Sequence, residues 1–231
     1  MAERGGREAL LGAVTSMSQM DPTTCGATCV LAARLLEGAG RITDPVRSQR
    51  AIQRGLNRRA ILWLLPWPRA LGSPPWALAR ALSRMTGRRY RVRWVRDSGR
   101  AFPGVVERAR GHLAEGRPVI LLTGGPLLRR PAGGARRSGL NRLGARVVAG
   151  PAIPRHYVLG LPWDGGRASD PGRGRIRVYE PGRGRLHDLD LADLGSVGER
   201  GAMPALGHWS RVLAVILPAQ CDRCDRCGRS G

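Results

Sequence analysis

The spacing of hydrophobic residues differs between the two halves of the chain. The N-terminal half contains helix-favouring segments bounded by cap and turn residues, and the C-terminal half contains short apolar runs typical of strands. Helices are predicted over residues 25–36, from Pro45 onward with Asp44 as its cap, from Pro75 to a stop at Gly87, and over residues 102–115.

Strands are predicted from alternation and from continuous apolar runs. Tyr90, Val92 and Trp94 alternate with arginines, which indicates a strand with one solvent-facing side. Further strands are predicted over residues 118–123, 156–161, 175–179 and 212–217. Helices followed by strands predict an α+β fold, with a helical part at about 16–116 and a sheet part at about 117–218.

Three segments fall outside this pattern. Residues 1–15 are predicted to be a loose leader. Residues 124–154 are rich in Gly, Pro and Arg with weak periodicity, which predicts a long basic loop that leads directly into the strand at residue 156. Residues 219–231 are predicted to be a disordered, Cys-rich tail. The domain proper is therefore expected over residues 16–218.

The formal charge of +22 invites a nucleic-acid interpretation, which other features weaken. All 39 basic residues are arginine, a bias typical of a GC-rich genome, and one Phe with three Tyr offers few surfaces on which bases could stack. We expect salt-sensitive, non-specific attraction to polyanions and acidic partners, and we regard a dedicated nucleic-acid-binding protein as the least favoured class.

Neither a membrane protein nor a disulfide scaffold is indicated. No apolar run has the length of a transmembrane helix, and the apolar stretch at residues 9–14 is too short for a signal peptide, so a cytoplasmic location is expected. The five cysteines are an odd number. Cys221, Cys224 and Cys227 supply three of the four ligands that a zinc site requires, so no metal and no cofactor is predicted.

Residues 19–29 contain a candidate nucleophile. Cys25 is predicted in the first turn of a helix, where unpaired N–H groups and the positive end of the helix dipole stabilise a thiolate. The Cys25 N–H can point at a developing oxyanion, and Gln19, six residues upstream across a turn, can supply a second donor. Cys29, one turn further along, is interpreted as a small core residue. A lone helix cysteine is more often structural, and the combination with Gln19 and Gly26 favours catalysis.

A candidate base and its orienting residue lie in the C-terminal half. His156 opens an apolar strand after a loop, so it is both fixed and exposed at a strand end. Glu180 ends the next strand, and an antiparallel hairpin would return it to the edge that carries His156. Asp170 is the alternative orienting residue, although it falls in the predicted hairpin turn, which should face away. Taken alone, His156 is equally compatible with a surface histidine at a strand end. Taken alone, Glu180 is equally compatible with a carboxylate in a turn.

Together these segments resemble the papain-like cysteine peptidase superfamily, and within it the bacteriocin-processing (double-glycine) peptidase-like domains. The likeness is specific at residues 19–31 and 156–182. It implies a papain-like fold, with the cysteine on a helix of the N-terminal half and the histidine on the C-terminal antiparallel sheet. It also implies Gln19 as oxyanion donor, Cys25 as nucleophile and His156 as base. Family members typically place Asp-Pro or Asn-Pro where this chain has Glu180 and Pro181.

The resemblance implies a cysteine-dependent hydrolase of peptide or amide bonds, acting on a leader or on a small modified peptide. Acyl transfer and deamidation use the same groups. The alternative from another class is a non-catalytic papain-like binding domain whose arginine-rich surface binds an acidic peptide, a protein or a nucleic acid.

Overall fold

The computed structural model describes a mixed α/β domain from most of the chain. The described residues are 2–38, 42–58, 60–61, 64–96, 99–125, 153–162, 175–190 and 202–219. Within them the helices are α1 (Ala2–Thr15), α2 (Cys25–Leu36), α3 (Pro45–Asn57), α4 (Pro75–Thr86) and α5 (Phe102–Ala114). The strands are β1 (Tyr90–Trp94), β2 (Val119–Gly125), β3 (Ile153–Gly160), β4 (Arg175–Glu180), β5 (Arg185–Asp190) and β6 (Arg211–Pro218).

The six strands form one sheet in the order β1-β6-β2-β3-β4-β5, and every neighbouring pair is antiparallel. Helices α1 to α4 cover one face of this sheet, while α5 and a 3₁₀ turn at Pro204–Leu206 cover the other. The α+β class predicted from the sequence is confirmed in this coarse form.

Strand β2 shows why its sequence is continuously apolar. Ile120 and Leu122 face the core under α2 and α4, whereas Val119 and Leu121 face the core under α5. All seven residues of the strand are buried. A central strand covered by helices on both faces carries apolar residues at every position rather than at alternate ones.

The caps predicted for two helices are present. The Asp44 side chain accepts a hydrogen bond from Arg47 N at 2.9 Å, and Pro45 occupies the first position of α3. Gly87 ends α4 in the left-handed conformation, with φ of 67°. These local signals therefore defined two helix boundaries correctly.

Residues 1–15 differ from the loose leader predicted for them, because Ala2–Thr15 forms helix α1. Val14 and Met17 are buried in the core beside α2, and the Tyr179 hydroxyl donates to the Met17 carbonyl at 2.8 Å. Burying the Val14 and Met17 side chains contributes roughly 1.5–3 kcal/mol each, which offsets the roughly 1 kcal/mol that each of the three glycines in this segment costs a helix.

The predicted helical part contributes a strand to the same sheet as the predicted sheet part. Strand β1 lies in the helical part of the chain, yet it pairs with β6 from the other end, and Tyr90 faces Pro218. Strand β5 was not predicted. Most of its residues are polar or charged. Its two apolar side chains face opposite sides of the sheet, Leu186 toward one core and Leu189 toward the other.

The predicted basic loop and tail lie mostly outside the described residues. Gly124 and Gly125 complete β2, and Ile153 with Pro154 begins β3, so residues 126–152 of the loop are not described. Of the tail only Ala219 is described, and its N–H donates to the Arg89 carbonyl at 2.6 Å. In the part of the chain that the structure describes, every helix is too short or too polar to cross a bilayer.

Candidate active site

The turn before α2 is built around Asp21. Its side chain accepts hydrogen bonds from the Thr23 N–H at 2.8 Å and the Thr23 hydroxyl at 2.6 Å, and it pairs with Arg69 at 3.0 Å. The Thr24 N–H donates to the Asp21 carbonyl at 3.1 Å. Burial raises the pKa of Asp21, but the bonds from Thr23 and Arg69 outweigh it and lower the pKa below its usual value. The turn is thus closed by its own side chains and directs the chain into α2.

The first turn of α2 keeps its N–H groups open. Thr24 precedes the helix without a side-chain capping bond, and the first helical hydrogen bond runs from Thr28 N to the Thr24 carbonyl. Among the described residues, the N–H groups of Cys25, Gly26 and Ala27 therefore have no acceptor. These donors lie at the positive end of the helix dipole, which is the arrangement that receives an anion.

Close packing fixes this helix start against the sheet. A Cβ on Gly26 would lie 3.2 Å from the Tyr157 ring and 3.3 Å from the Leu78 side chain. The Tyr157 hydroxyl in turn donates to the Ser73 carbonyl at 2.8 Å, which ties β3 to the segment before α4. Cys25 is 4% exposed, so the residue is almost completely buried at this helix start.

His156 lies on β3 beside the end of β2. Its backbone is paired with Thr123, just before a register shift between Thr123 and Gly124. The Thr123 hydroxyl lies 3.2 Å from the His156 carbonyl and 3.0 Å from the Leu206 carbonyl. His156 is 7% exposed and is the fourth residue of β3, so the prediction of a histidine exposed at the start of the strand is wrong.

Glu180 contacts the His156 ring at the point where β3 and β4 separate. The two strands pair at Leu159 with Tyr179 and at Gly160 with Val178, and the pairing does not continue to His156. In that gap the Glu180 Oε1 lies 2.7 Å from His156 Nε2. The structure therefore brings Glu180 to the histidine, as the hairpin argument expected. Asp170 lies outside the described residues.

The turn after β4 holds the Glu180 carboxylate in place. Its Oε1 accepts the Gly182 N–H at 2.6 Å, and its Oε2 accepts the Arg183 N–H at 3.0 Å. Burial raises the pKa of Glu180, but the hydrogen bonds from His156 and from this turn outweigh it and lower the pKa below its usual range. The Glu180 side chain is one methylene longer than the Asp that the resemblance leads one to expect. It is thus anchored by backbone N–H groups of the turn that follows it.

Cys25 and Glu180 act on the imidazole from two sides. Burial lowers the pKa of His156, whereas hydrogen bonds and charge interactions with Cys25 and Glu180 raise it, and the net result is a pKa of about 9. Because Nε2 meets the carboxylate, Nδ1 is the nitrogen left for the thiol. The ring is therefore protonated at neutral pH, between two groups that favour its cationic form.

Searches of protein-family models and of curated proteins found no match to this chain.

Gln19 is positioned by two neighbours that the sequence did not reveal. Its N–H donates to the Pro181 carbonyl at 2.6 Å, next to the turn that holds Glu180. Gln49 of α3, 1% exposed, accepts from Met20 N at 2.9 Å and donates to the Ser18 carbonyl at 2.8 Å, clamping the backbone on both sides of Gln19. The Gln19 side-chain oxygen is buried without a hydrogen-bond partner among the described residues.

A second glutamine repeats this clamp one helical turn later. Gln53 donates to the Thr23 carbonyl at 2.9 Å and lies 3.0 Å from the Thr23 hydroxyl. Two buried glutamines spaced i, i+4 on an otherwise arginine-rich helix are the signal that sequence reasoning passed over. They indicate that α3 positions the turn from residue 18 to 24.

Gly207 is a further residue that the sequence did not reveal. It follows the 3₁₀ turn Pro204–Leu206 with φ of 68°, and a Cβ there would overlap His156 Cδ2 and lie 2.7 Å from Nε2. The backbone of Gly207 therefore packs directly on the imidazole ring. The only advance signal was a Gly shortly before the last strand.

Three further sulfur and imidazole groups among the described residues have other surroundings. Burial, then the charges of Cys25 and Glu180, raises the pKa of Cys29, so it remains a thiol in the core. His112 contacts Arg117, and His187 lies on β5. Among the described residues, no cluster of His, Cys, Asp and Glu is arranged to hold a metal.

The pH dependence of stability provides one test of this electrostatic arrangement. The raised pKa of His156 contributes stability that is complete below about pH 6.5 and is lost as the pH rises through about 9. We expect the free energy of unfolding to fall by on the order of 3 kcal/mol across that range. Urea unfolding followed at several pH values measures it, and His156→Gln should flatten the decline. An equal decline in this variant would contradict the assignment.

Proposed function

We propose that the protein is a cysteine-dependent hydrolase of peptide or amide bonds, with Cys25 as nucleophile, His156 as acid and base, and Glu180 as the residue that orients the imidazole. The observation that carries the proposal is the side-by-side placement of a helix-start cysteine, a buried imidazole and a carboxylate 2.7 Å from its Nε2. The same placement supports the likeness to papain-like peptidases that the sequence indicated.

Bond cleavage begins with attack of the Cys25 sulfur on the substrate carbonyl carbon. His156 carries a proton at neutral pH, since its pKa is about 9, and it donates this proton to the departing nitrogen as the carbon–nitrogen bond breaks. The product of this half-reaction is a thioester on Cys25 and a free amine. Glu180 accepts from Nε2 throughout, so the other ring nitrogen keeps facing the sulfur.

The second half-reaction releases the acid. The neutral imidazole of His156 takes a proton from water, the hydroxide adds to the thioester carbonyl, and the carbon–sulfur bond breaks to return the Cys25 thiolate and the protonated ring. An amine in place of this water would give acyl transfer through the same steps.

The oxyanion that forms in both halves requires hydrogen-bond donors. The open N–H groups at the start of α2, with that of Cys25 first, supply backbone donors. Gln19 is the proposed side-chain donor, and its position is fixed by the Gln49 clamp and by the bond to Pro181.

Alkylation by iodoacetamide tests the proposal without knowledge of the substrate. We expect Cys25 to react faster at neutral pH than Cys29 and the three tail cysteines, because it interacts with an imidazole. A time course followed by peptide mapping gives the separate rates. Cys29, four residues along the same helix and fully buried, is the internal control. A Cys25 that reacts no faster than the tail would favour the non-catalytic binding domain.

A further inference from the structure

A cleft lies between α3 and α4. Its volume is about 760 Å³, within the range of about 300–1,000 Å³ that small-molecule sites occupy. Arg34, on the last turn of α2, closes one end. Arg34 follows Cys25 by nine residues on that helix, so the cleft lies roughly 14 Å along the axis from the nucleophile. It is therefore separate from the candidate active site.

Small residues on facing helices leave this space open. Ala51 and Gly55 lie one turn apart on α3, and Ala77 and Ala81 lie one turn apart on α4. A Cβ on Gly55 would meet no atom within 4 Å. The open volume is thus a consequence of the small residues at these four positions. A ligand can therefore approach the helix backbones closely.

The base of the cleft is apolar. Leu56 is buried in the core, and Ile52 and Met85 are partly buried against the same core. A ligand seated here would cover apolar surface that the cleft leaves partly exposed to water. The floor therefore favours a ligand with an apolar or aromatic body.

Arginines line the cleft, and none of the described residues that line it is a carboxylate. They are Arg34, Arg58, Arg80 and Arg84. Arg34, Arg58 and Arg84 form no ion pair with any described carboxylate. Partial burial, followed by the charge of Arg84, lowers the pKa of Arg80, which shows that like charges are held together here. An anion placed between them would relieve this repulsion.

We propose that this cleft binds a phosphorylated small molecule with an apolar body. The planar guanidinium groups match phosphate oxygens in geometry and charge, and the apolar floor accepts the rest of the ligand. A nucleotide and a phosphate ester with an alkyl chain share this chemistry, and they differ in whether a ring or a chain covers Ile52 and Leu56.

Calorimetric titration at about 0.15 M salt, where distant surface charges are screened, tests the proposal with three probes. ATP presents phosphates with a ring, octyl phosphate presents a phosphate with a chain, and tripolyphosphate presents charge alone. We expect ATP or octyl phosphate to bind more tightly than tripolyphosphate, and the tighter of the two identifies the ligand body. Binding of both no tighter than tripolyphosphate, or no binding, would overturn the proposal.

Two matched pairs of variants localise the binding. Gly55→Glu places a carboxylate in the cleft and Gly55→Gln places a neutral group of the same size, and both improve helix propensity. We expect Gly55→Glu to bind at least about tenfold more weakly than Gly55→Gln. Arg84→Gln should weaken binding about tenfold, whereas Arg91→Gln, which removes an exposed charge on β1, should not. Equal affinities within either pair would assign the binding to the general surface charge and overturn the proposal.

Discussion

Replacing His156 with alanine is expected to slow alkylation of Cys25 by at least about tenfold and to lower turnover of any substrate by about 10²–10⁴-fold. The His156 imidazole interacts with both Cys25 and Glu180, so its removal takes away both the cation beside the sulfur and the proton donor for the leaving group. Iodoacetamide labelling of wild type and variant, read by peptide mapping, measures the first effect.

Two further variants separate the proposed roles. Gln19→Ala should leave iodoacetamide labelling unchanged, because alkylation forms no oxyanion, but should weaken a peptide aldehyde about 100-fold, because its thiol adduct carries one. Glu180→Gln keeps the length of the side chain and removes its charge, so it should slow Cys25 labelling less than His156→Ala does. The tail cysteines serve as the unaffected reference in every sample.

Equal labelling of Cys25 in wild type and His156→Ala would mean that the pair is structural. The arginine-rich binding domain would then be the better interpretation of the fold. Because labelling is independent of the substrate, this outcome does not depend on finding what the protein cleaves.

Local signals were sufficient for the elements that carry the candidate chemistry. The Asp-Pro-Thr-Thr sequence before Cys25 and the glycines after Glu37 predicted α2 from Cys25 to Leu36, and the structure has those bounds. The predicted proximity of Glu180 to His156 required only that consecutive strands be antiparallel. Where sequence neighbours determine the geometry, the chain alone was enough.

Residues that arrive from distant parts of the chain were missed. Gln49 lies 31 residues from Ser18, and Gly207 packs on a histidine 51 positions earlier in the chain. No periodicity or cap connects such partners, because their contact exists only once the sheet has formed. Helix α1 was missed for a related reason, since its stability comes from packing of Val14 and Met17 rather than from propensity.

The edge strand β5 shows a limit of pattern reading. Leu186 and Leu189 are three residues apart, so the segment lacks the two-residue alternation of a half-buried strand. One leucine packs against each face of the sheet, and backbone pairing with β4, including Glu180 opposite Arg185, defines the strand instead. The turn that anchors the Glu180 carboxylate leads into this unpredicted strand.

The substitution Gly207→Ala is expected to disable the candidate site by displacing the imidazole. A Cβ at residue 207 would overlap His156 Cδ2 and lie 2.7 Å from Nε2, so the ring must move away from its 2.7 Å bond with Glu180. We expect Cys25 labelling to slow by about tenfold or more, and the imidazole pKa to fall from about 9 toward its usual value, because the contacts that raise it are weakened.

Gly87→Ala is the matched control for this prediction. Gly87 has φ of 67° against 68° for Gly207, but a Cβ at residue 87 would meet no atom within 4 Å. Both variants carry the same left-handed backbone strain, about 1–2 kcal/mol, and Gly207→Ala should lose further stability to urea because it also displaces the imidazole. Only Gly207→Ala should change the labelling rate and the pH titration of His156 followed by NMR. If both variants label like wild type, the imidazole has room to move, and Gly207 does not position it.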